Sequence, residues 1–455
     1  MSASSSEERK GPFSALPYLL VLVAAIGGAL ARPGAPRATG GAINTGDTAW
    51  MTTASALVLI MTPGLSFFYA GMVRTRNVVS TMLQSFVAMG AMSVLWLVVG
   101  FSLAFGDSLG GIIGNPATYF MMQHVGAETH PDLAATIPLI IFAMFQLKFA
   151  IITPALITGS FAERVRFSSY LLFICLWSLF IYSPLAHWTW HPQGFLRQWG
   201  VLDFAGGTVV HMSAGMAALV GAMVLGRRKI HLASEPHVPA NIPFVLLGTG
   251  MLWFGWFGFN AGSAGAANGQ AAMAFATTNT ASAAAALAWI FLDAWKGRKP
   301  TALGFCVGAV VGLVAITPAA GYVNVGDSVF IGAIAATISN MVVHWKSQTT
   351  LDDTLDVFPC HGVGGMVGMV MTGVFAHDVG LVSGKWTTFL HHLGALVFVA
   401  VFTFVGSWVI YKVTDAIIPL RVTDSDEEVG LDLSQHGEVM DEAASRAAFS
   451  FARSA

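Results

Sequence analysis

The sequence predicts an all-α polytopic membrane protein. Of its 455 residues, 55% are hydrophobic and only 10% are charged, whereas about a quarter of the residues in a typical soluble domain carry a charge. The 49 glycines suit helices that pack closely in lipid. Long apolar runs of this kind form helices, because open strands would leave backbone polar groups unsatisfied in hydrocarbon.

The first apolar run, approximately 16–30, is short for a hydrocarbon core about 30 Å thick. It ends at Ala29–Ala31 in the small-x-small pattern of a signal-peptide cleavage site. We therefore predict a signal peptide over 1–31 and an extracellular segment over 32–46. Two acidic residues offset the two basic residues that precede the run, so an uncleaved first span is the alternative.

Eleven later apolar stretches are long enough to span a membrane, and they define a membrane domain over 47–418. The remaining segment, 419–455, is polar and acidic and is too short for a catalytic domain. It is predicted to be a cytoplasmic regulatory tail, with a disordered end as the alternative. The predicted spans run approximately over 47–72, 78–105, 134–161, 167–186, 204–226, 242–262, 270–295, 301–320, 327–346, 359–377 and 387–413.

Basic residues are concentrated in alternate loops between these spans. The poorer set of loops carries only Arg197 and Lys385. Because cytoplasmic loops are enriched in Lys and Arg, we predict a cell (inner) membrane protein with the mature N-terminus outside and the C-terminus inside. The richer, cytoplasmic set carries Arg74, Arg76, Arg164, Arg166, Arg227, Arg228, Lys229, Lys296, Arg298, Lys299 and Lys346.

Two spans contain a histidine preceded by an acid. The fifth contains Asp203 and His211, and the tenth contains His361, with Asp356 ahead of it. Ionisable groups inside apolar spans are costly and usually face a bundle interior. Five spans separate the two histidines, so we predict an inverted repeat of two five-helix halves, with the eleventh helix outside it. A lone histidine would favour a simple interhelical hydrogen bond, whereas this pair favours a function.

Other features restrict the class of protein. The net charge of −2 gives no argument for nucleic-acid binding. The row of glycines in Gly304–Gly312 predicts close helix packing, and a ligand site is not needed to explain it. We expect a protein that is not an enzyme and that holds no cofactor or metal. Three cysteines without CxxC spacing are interpreted as small buried residues: Cys175, Cys306 and Cys360.

Several long motifs resemble the Amt/Mep/Rhesus ammonium transporter family, and in particular its bacterial-type Amt branch. They cover nearly the whole chain, from Asp47 to about Glu438. The resemblance implies a homotrimer with one pore in each subunit, eleven membrane helices, and ammonium or ammonia as the substrate, with methylammonium as a further candidate. The matching motifs are FFYAGMVR, FAIITPALITGSFAERVRF, LDFAGGTVVH, GWFGFNAGSA, TPAAGYV, DVFPCHGVGG and GLDLSQHGE.

The same resemblance assigns roles to individual residues. It implies an outer recruitment site at Phe149, Trp190 and Ser263. The gate matches Phe149 and Phe259, to which we add Phe145 because it shares the helix face of Phe149. Without the resemblance, the phenylalanine pair would be interpreted as packing and Trp190 as an interfacial anchor. The resemblance also implies pore histidines, a structural acid and a pore-wall residue, which match His211, His361, Asp203 and Trp256.

The tail and two departures complete the comparison with the family. Residues 430–437 match a segment that couples the pores and responds to a PII-type signalling protein. Lys148 stands beside Phe149 in mid-span, where it would either face another helix or repel a cation from the vestibule. Pro359–Cys360 precedes His361 and could change how that helix enters the pore.

These residues predict how ammonium would cross. An isolated ion of this size costs tens of kcal/mol to move into hydrocarbon, and each cation–π contact recovers only about 0.5–2 kcal/mol. We therefore expect ammonium to lose a proton near the gate, so that ammonia crosses the narrow section beside the histidines, with net charge transfer in each cycle. The alternatives are a Rhesus-type neutral ammonia or carbon dioxide facilitator, a haem protein with two axial histidines, and a membrane ammonium sensor.

Overall fold

The computed structural model describes residues 16–31 and 34–440, and the described chain is almost entirely helical. Ten of the described helices are long and apolar enough to cross a membrane, and the shorter apolar helix Ala302–Ile316 lies among them. The predicted eleven-helix architecture is confirmed. We number these helices α1 to α11: Thr45–Met72, Thr75–Phe105, Leu139–Phe161, Phe167–Gln198, Gly207–Leu225, Ile242–Gly262, Gly269–Trp295, Ala302–Ile316, Val325–Lys346, Phe358–Phe375 and Thr387–Ile417.

Local sequence explains where several helices begin and end. Asn44 caps α1 by accepting hydrogen bonds from the backbone N–H groups of Gly46 and Asp47 at 2.9 and 3.1 Å. Helix α3 begins later than predicted, because Pro138 precedes its first residue. Helix α8 ends earlier than predicted, just ahead of Pro318, which has no N–H to continue the hydrogen-bond ladder.

The helix contacts follow the predicted inverted repeat. Helix α1 packs against α6, its counterpart in the second half, more extensively than any other pair of described helices. Helix α3 packs on α5, and the corresponding α8 packs on α10. Helix α11 lies outside the repeat and braces it through contacts with α4, α5 and α10.

Small residues allow the helices to approach closely. A Cβ on Gly215 of α5 would overlap the backbone of Gly362 of α10, so these helices touch backbone to backbone where they cross. The row Gly304–Gly312 packs α8 against α7 in the same way, since added Cβ atoms would meet side chains and backbone of α7. The predicted packing role of this row is confirmed, and the crossing of α5 and α10 brings their histidine segments together.

The remaining elements are short. Ser108–Leu109 and Ile113–Gly114 form a two-stranded antiparallel sheet in which Ser108 pairs with Gly114. The helix Leu16–Leu30 has no buried residue. Residues 1–15, which contain the start of the predicted signal peptide, lie outside the described residues, and the signal peptide stays a prediction. Two tail helices follow α11, namely α12 (Asp424–Val429) and α13 (Leu431–His436).

One end of the bundle, which we call the basic face, is held by a buried ion network between loops. Glu163 accepts hydrogen bonds from Arg74 Nε at 2.8 Å and from Arg228 Nη1 at 2.9 Å. Arg228 also donates to Asp352 from Nε and Nη2, at 3.0 and 2.9 Å. The tail docks beside this network, because Asp432 accepts from the N–H groups at the start of α2.

Candidate functional site

The site begins with a carboxylate that caps α5. Asp203 is 6% exposed, and its oxygens accept from the N–H groups of Gly206, Gly207 and Thr208 at 2.7–2.8 Å and from the Thr208 hydroxyl at 2.5 Å. A φ of 111° at Gly206 gives the backbone the left-handed turn that wraps these donors around the carboxylate. Asp203 therefore fixes the first turn of the helix that carries His211.

A second buried carboxylate performs the same task for α10. Asp353 accepts from the N–H groups of Val357 at 3.2 Å and Phe358 at 2.8 Å. The correspondence of Asp356 with Asp203 was wrong, since Asp356 pairs with Lys346 at 2.6 Å and does not cap the helix. A signal for Asp353 was present in the sequence, because it precedes His361 by the same eight residues that separate Asp203 from His211.

The two histidines are in contact at the crossing of α5 and α10. His211 Nδ1 and His361 Nδ1 are 3.3 Å apart, and the side chains are buried. Because a neutral imidazole has one donor and one acceptor nitrogen, one ring donates in this hydrogen bond and the other accepts. The rings touch directly, so the space between them cannot hold the haem of the alternative prediction. His211 Nε2 has no hydrogen-bond partner among the described residues.

A narrow cavity of about 10 Å³ lies against the two imidazoles. Its other lining side chains are aliphatic, aromatic or methionine, and they include Phe259 and Trp256. The Trp256 ring stacks near His211 with centroids 5.3 Å apart, and its Nε1 donates to Thr317 Oγ1 at 2.9 Å. Trp256 thus lies in the cavity wall, and the cavity offers few polar groups apart from the imidazoles.

A column of aromatic rings closes the cavity on the side of Asp203. The rings of Phe149 and Phe259 are in contact, with centroids 4.2 Å apart and planes tilted by 32°, and both residues are at most 1% exposed. Phe145 packs edge-on against Phe149 at 5.0 Å. Phe259 in turn lies 5.9 Å from the His211 ring. The predicted gate residues are therefore brought together, between this cavity and the space above it.

Above this column lies an open cavity of about 380 Å³, which we call the vestibule. Phe149, Trp190, Ser263 and Asp203 are among its lining residues, so the predicted recruitment residues share one space. The Trp190 ring meets Phe149 edge-on at 5.6 Å, and its Nε1 donates to the Asp203 carbonyl oxygen at 3.2 Å. Because α3 passes the vestibule before it reaches the basic face, the two lie at opposite ends of the bundle.

The two departures from the family pattern leave the site intact. Lys148 is half-buried, does not line the vestibule and has no hydrogen-bond or ionic partner among the described residues. Pro359 lies in the first turn of α10, where a missing N–H does not break the helix. His361 still reaches His211. Lys148 therefore faces away from the cation path, and Pro359 is compatible with the pore.

One further residue lines the vestibule and was not predicted from the sequence. Gln146 lies three residues before Phe149 on α3, so the two share a helix face. Its side-chain oxygen is buried and has no partner among the described residues. The available signal was a polar residue inside an apolar span, on the same face as a predicted gate residue.

Together, the fold and the site define a polytopic α-helical membrane protein with two buried histidines in contact below a column of aromatic rings. Residues 49–440 match a family model described as Ammonium Transporter Family. The chain belongs to this family, and the resemblance predicted from its motifs is confirmed.

Similar proteins agree with this assignment. The ammonium transporter of Aquifex aeolicus is 47% identical over 87% of this chain and 93% of its own length. That of Bacillus subtilis is 44% identical over 86% of this chain and 98% of its own. The crystal structure of Candida albicans Mep2 superimposes with a TM-score of 0.80 at 35% identity, covering 84% of this chain and 88% of that one. A structure titled "Sensor Amt Protein" also superimposes with a TM-score of 0.80. It is 28% identical and covers 86% of this chain and 98% of that one.

Proposed function

We propose that this protein carries ammonium across the membrane by binding the cation in the vestibule, removing a proton near the aromatic gate and conducting ammonia past the two histidines. The observation that carries this proposal is the contact between two buried imidazoles in an otherwise apolar cavity, directly below a closed column of aromatic rings. Family membership supports ammonium as the cargo.

The physical argument rests on the cost of desolvation. The cavity below Phe259 contains few acceptors, so a permanent cation there would lose its hydration without replacement. The vestibule can compensate the ion in part, through the faces of Phe149 and Trp190 and the hydroxyl of Ser263. Ammonia is neutral, and an imidazole nitrogen can donate to it or accept from it. Loss of the proton before the cavity therefore avoids the largest energetic barrier.

The proposed route for the proton uses the histidine pair. Neutral ammonia and the proton separate near the gate, and the two hydrogen-bonded imidazoles offer a relay by which the proton crosses the same section. Transport by this route moves one net charge for each ammonium taken up. A neutral Rhesus-type facilitator would move none, so current during an ammonium pulse distinguishes the two.

The test uses protein reconstituted in lipid vesicles, with ammonium-driven current and uptake measured together. For the double variant His211→Ala/His361→Ala we expect a fall of at least about a hundredfold in flux, the lower end of what a positioned proton-transfer group contributes. His391→Ala is the matched control, because this half-buried imidazole stacks on Trp199 away from the path. Unchanged ammonium flux in the double variant would eliminate the proposal.

The same assignment leads to proposals for the orientation of the protein in the membrane, its oligomeric state and its partner. We propose that the vestibule faces outward and the basic face lies in the cytoplasm, because most of the basic loop residues would then obey the positive-inside rule. The chain would form a homotrimer in the inner membrane, and the docked tail would be the contact for a PII-type protein. Mass measurement of the detergent-solubilised complex and labelling of single cysteines on the two faces test these assignments.

A signalling role is the second candidate function. It is favoured by the structural similarity to the protein titled as a sensor and by the docking of α12 and α13 on the basic face. A sensor would change the environment of the tail when ammonium binds, without net uptake. Fluorescence from a label on α13, measured in the same vesicles as the current, separates a sensor from a transporter.

A further inference from the structure

Two polar side chains on the lateral surface of the bundle lie inside apolar spans without a partner. Asn279 of α7 is exposed, and its side-chain amide forms no hydrogen bond with any described residue. Lys148 of α3 is half-buried and has no hydrogen-bond or ionic partner among the described residues. Hydrocarbon offers neither donors nor acceptors, so polar groups inside a membrane span normally face other protein groups.

The two side chains lie at the same depth in the bundle. Both helices begin at the vestibule end, since Phe142 near the start of α3 and Gln270 at the start of α7 line the vestibule. Lys148 is nine residues after the first residue of α3, and Asn279 is ten residues after the first residue of α7. At 1.5 Å per residue, both lie about 14–15 Å below those ends, near the middle of a hydrocarbon core about 30 Å thick.

The two side chains are complementary but cannot meet within one subunit. Lys148 has only donors, whereas the Asn279 amide has an acceptor oxygen. Helix α3 packs mainly on α1, α2 and α5, and α7 packs on α6, α8 and α9, so the two groups lie on different sides of the bundle. Lipid phosphates lie about 15 Å from the middle of the hydrocarbon core, beyond the reach of the short Asn279 side chain. A second copy of the chain can supply both partners.

The face of α7 that carries Asn279 is shaped to receive another helix. On the vestibule side of Asn279, an open groove of about 370 Å³ lies between α1, α6 and α7 and is lined mostly by alanine and aromatic side chains. Ala272 and Phe275, which line this groove, are exposed. Small residues of this kind let helices approach closely in lipid. The groove and the unpaired amide therefore belong to one continuous surface.

We propose that Lys148 Nζ of one subunit donates a hydrogen bond to Asn279 Oδ1 of the next subunit in the complex. This inference rests on the homotrimer proposed above and names the contact that holds it together in mid-membrane. Because two different surfaces meet, the contact is head-to-tail, and such contacts close into a ring when the rotation between subunits allows it. Three subunits then form three identical contacts, and each lysine and each amide has a partner.

Cross-linking tests the geometry of this contact. The variant Lys148→Cys/Asn279→Cys is treated in membranes with a short bifunctional thiol reagent, and we expect covalent dimers and trimers on a denaturing gel. Either single variant should give none, because unlike residues meet in a head-to-tail contact. The matched control is Lys148→Cys/Val397→Cys, which should stay monomeric, since Val397 is exposed at the same depth but on α11, ten residues after the first residue of that helix.

The strength of the contact is measured by dissociation of the complex in detergent. For Asn279→Leu we expect the subunit concentration at which half of the complex dissociates to rise at least about tenfold, the lower end of the effect of a hydrogen bond to a charged group. Asn279→Asp keeps an acceptor and adds a charge, so it should hold the complex at least as tightly as the wild type. In Val397→Leu, the control, the value should stay within about twofold of wild type.

Two different failures are distinguishable in these experiments. A wild-type complex with the mass of a single subunit would overturn the proposed homotrimer itself. A trimer that gives no cross-link between positions 148 and 279, or that dissociates no more easily in Asn279→Leu, would overturn only the contact inferred here. Cross-linking decides the question if the leucine variant does not insert into the membrane.

Discussion

Asp203 and Asp353 each place a buried carboxylate under the first turn of a helix that carries a pore histidine. Their hydrogen bonds come from backbone N–H groups and, for Asp203, also from the Thr208 hydroxyl. Each fixes where its helix starts and therefore where the imidazole eight residues later lies. Lys346 also donates to the carbonyl oxygen of Asp353. The contact between the two rings thus depends on side chains at both faces of the bundle.

The role of Asp353 gives the first prediction. In Asp353→Asn the amide has one acceptor oxygen where the carboxylate has two, so one of the two N–H groups at the start of α10 loses its bond. We expect the free energy of unfolding to fall by about 1–2 kcal/mol, with reduced ammonium flux because His361 is displaced. Thermal unfolding in detergent measures the first effect and vesicle uptake the second.

Asp107→Asn is the control for this change. Asp107 pairs with Arg37 at 2.7 Å, but its side chain is 59% exposed, and exposed ion pairs contribute little to stability. Equal losses in the two variants would mean that Asp353 does not have the capping role assigned to it.

At the scale of the element, α5 and α10 are the helices that bring the two histidines together. They cross where Gly215 meets Gly362, one residue from His361. Each begins with an irregular, wider helical turn that contains its histidine, Gly207–Met212 in α5 and Phe358–Val363 in α10. Turns of this kind recur at functional sites in helices. The close crossing lets short imidazole side chains reach each other.

The crossing gives the second prediction. Gly215→Ala adds a methyl group that overlaps the backbone of Gly362, so the helices must separate. We expect a loss of about 1–3 kcal/mol in the free energy of unfolding, as for other overpacked sites, together with lower flux. Gly250→Ala in α6 is the matched control, since nothing lies within 4 Å of its added Cβ. Wild-type stability and flux in Gly215→Ala would contradict the assigned crossing.

The loops of the basic face give the third prediction, which concerns pH. Burial opposes ionisation of Asp352, but hydrogen bonds from Arg228 outweigh it and hold the pKa of Asp352 well below its usual range. Arg228 and Arg74 likewise lower the pKa of Glu163 against the effect of burial. A lowered pKa in the folded state gives stability that is present above the ordinary carboxyl pKa and is lost as the pH falls through the folded value.

Arg228→Gln tests this network. We expect it to lower the free energy of unfolding by about 3–5 kcal/mol at pH 7, because buried Asp352 loses its charged partner and buried Glu163 keeps only Arg74. The difference in the free energy of unfolding between the variant and the wild type should become smaller below about pH 4, where carboxylates become protonated. Arg298→Gln is the control, since this half-exposed arginine pairs with Asp293 and should cost at most about 1 kcal/mol. A difference that is independent of pH would contradict the assigned network.

At the scale of the whole molecule, much of the fold could be predicted because span length and residue class are local properties. Eleven apolar stretches gave eleven helices, and the offset of five spans from His211 to His361, an odd number, predicted the inverted repeat. Errors at the ends came from prolines, as at Pro138 and Pro318. The docking of α13 under α2 depends on contacts more than three hundred residues apart, which no local pattern reports.

The site was predictable where a residue type is unusual for its surroundings. His211 and His361 were identified because a histidine is unusual in an apolar span. Asp353 was missed because Asp356 is nearer to His361, and only the backbone geometry distinguishes a cap from an ion pair. Gln146 was missed because a sequence does not show whether a side chain has a hydrogen-bond partner, and its side-chain oxygen has none among the described residues. The 3.3 Å contact between the imidazoles follows from how α5 and α10 cross.

The whole molecule gives the last prediction, which concerns the central claim that only a cation able to release a proton can pass. Potassium is close to ammonium in size and charge but has no proton to lose. Uptake of both ions by vesicles containing the wild-type protein, measured at equal concentrations and membrane potential, tests the claim directly. We predict rapid ammonium uptake with negligible potassium uptake. Potassium uptake at a comparable rate would contradict the account, because the cavity at His211 and His361 would then pass an intact ion.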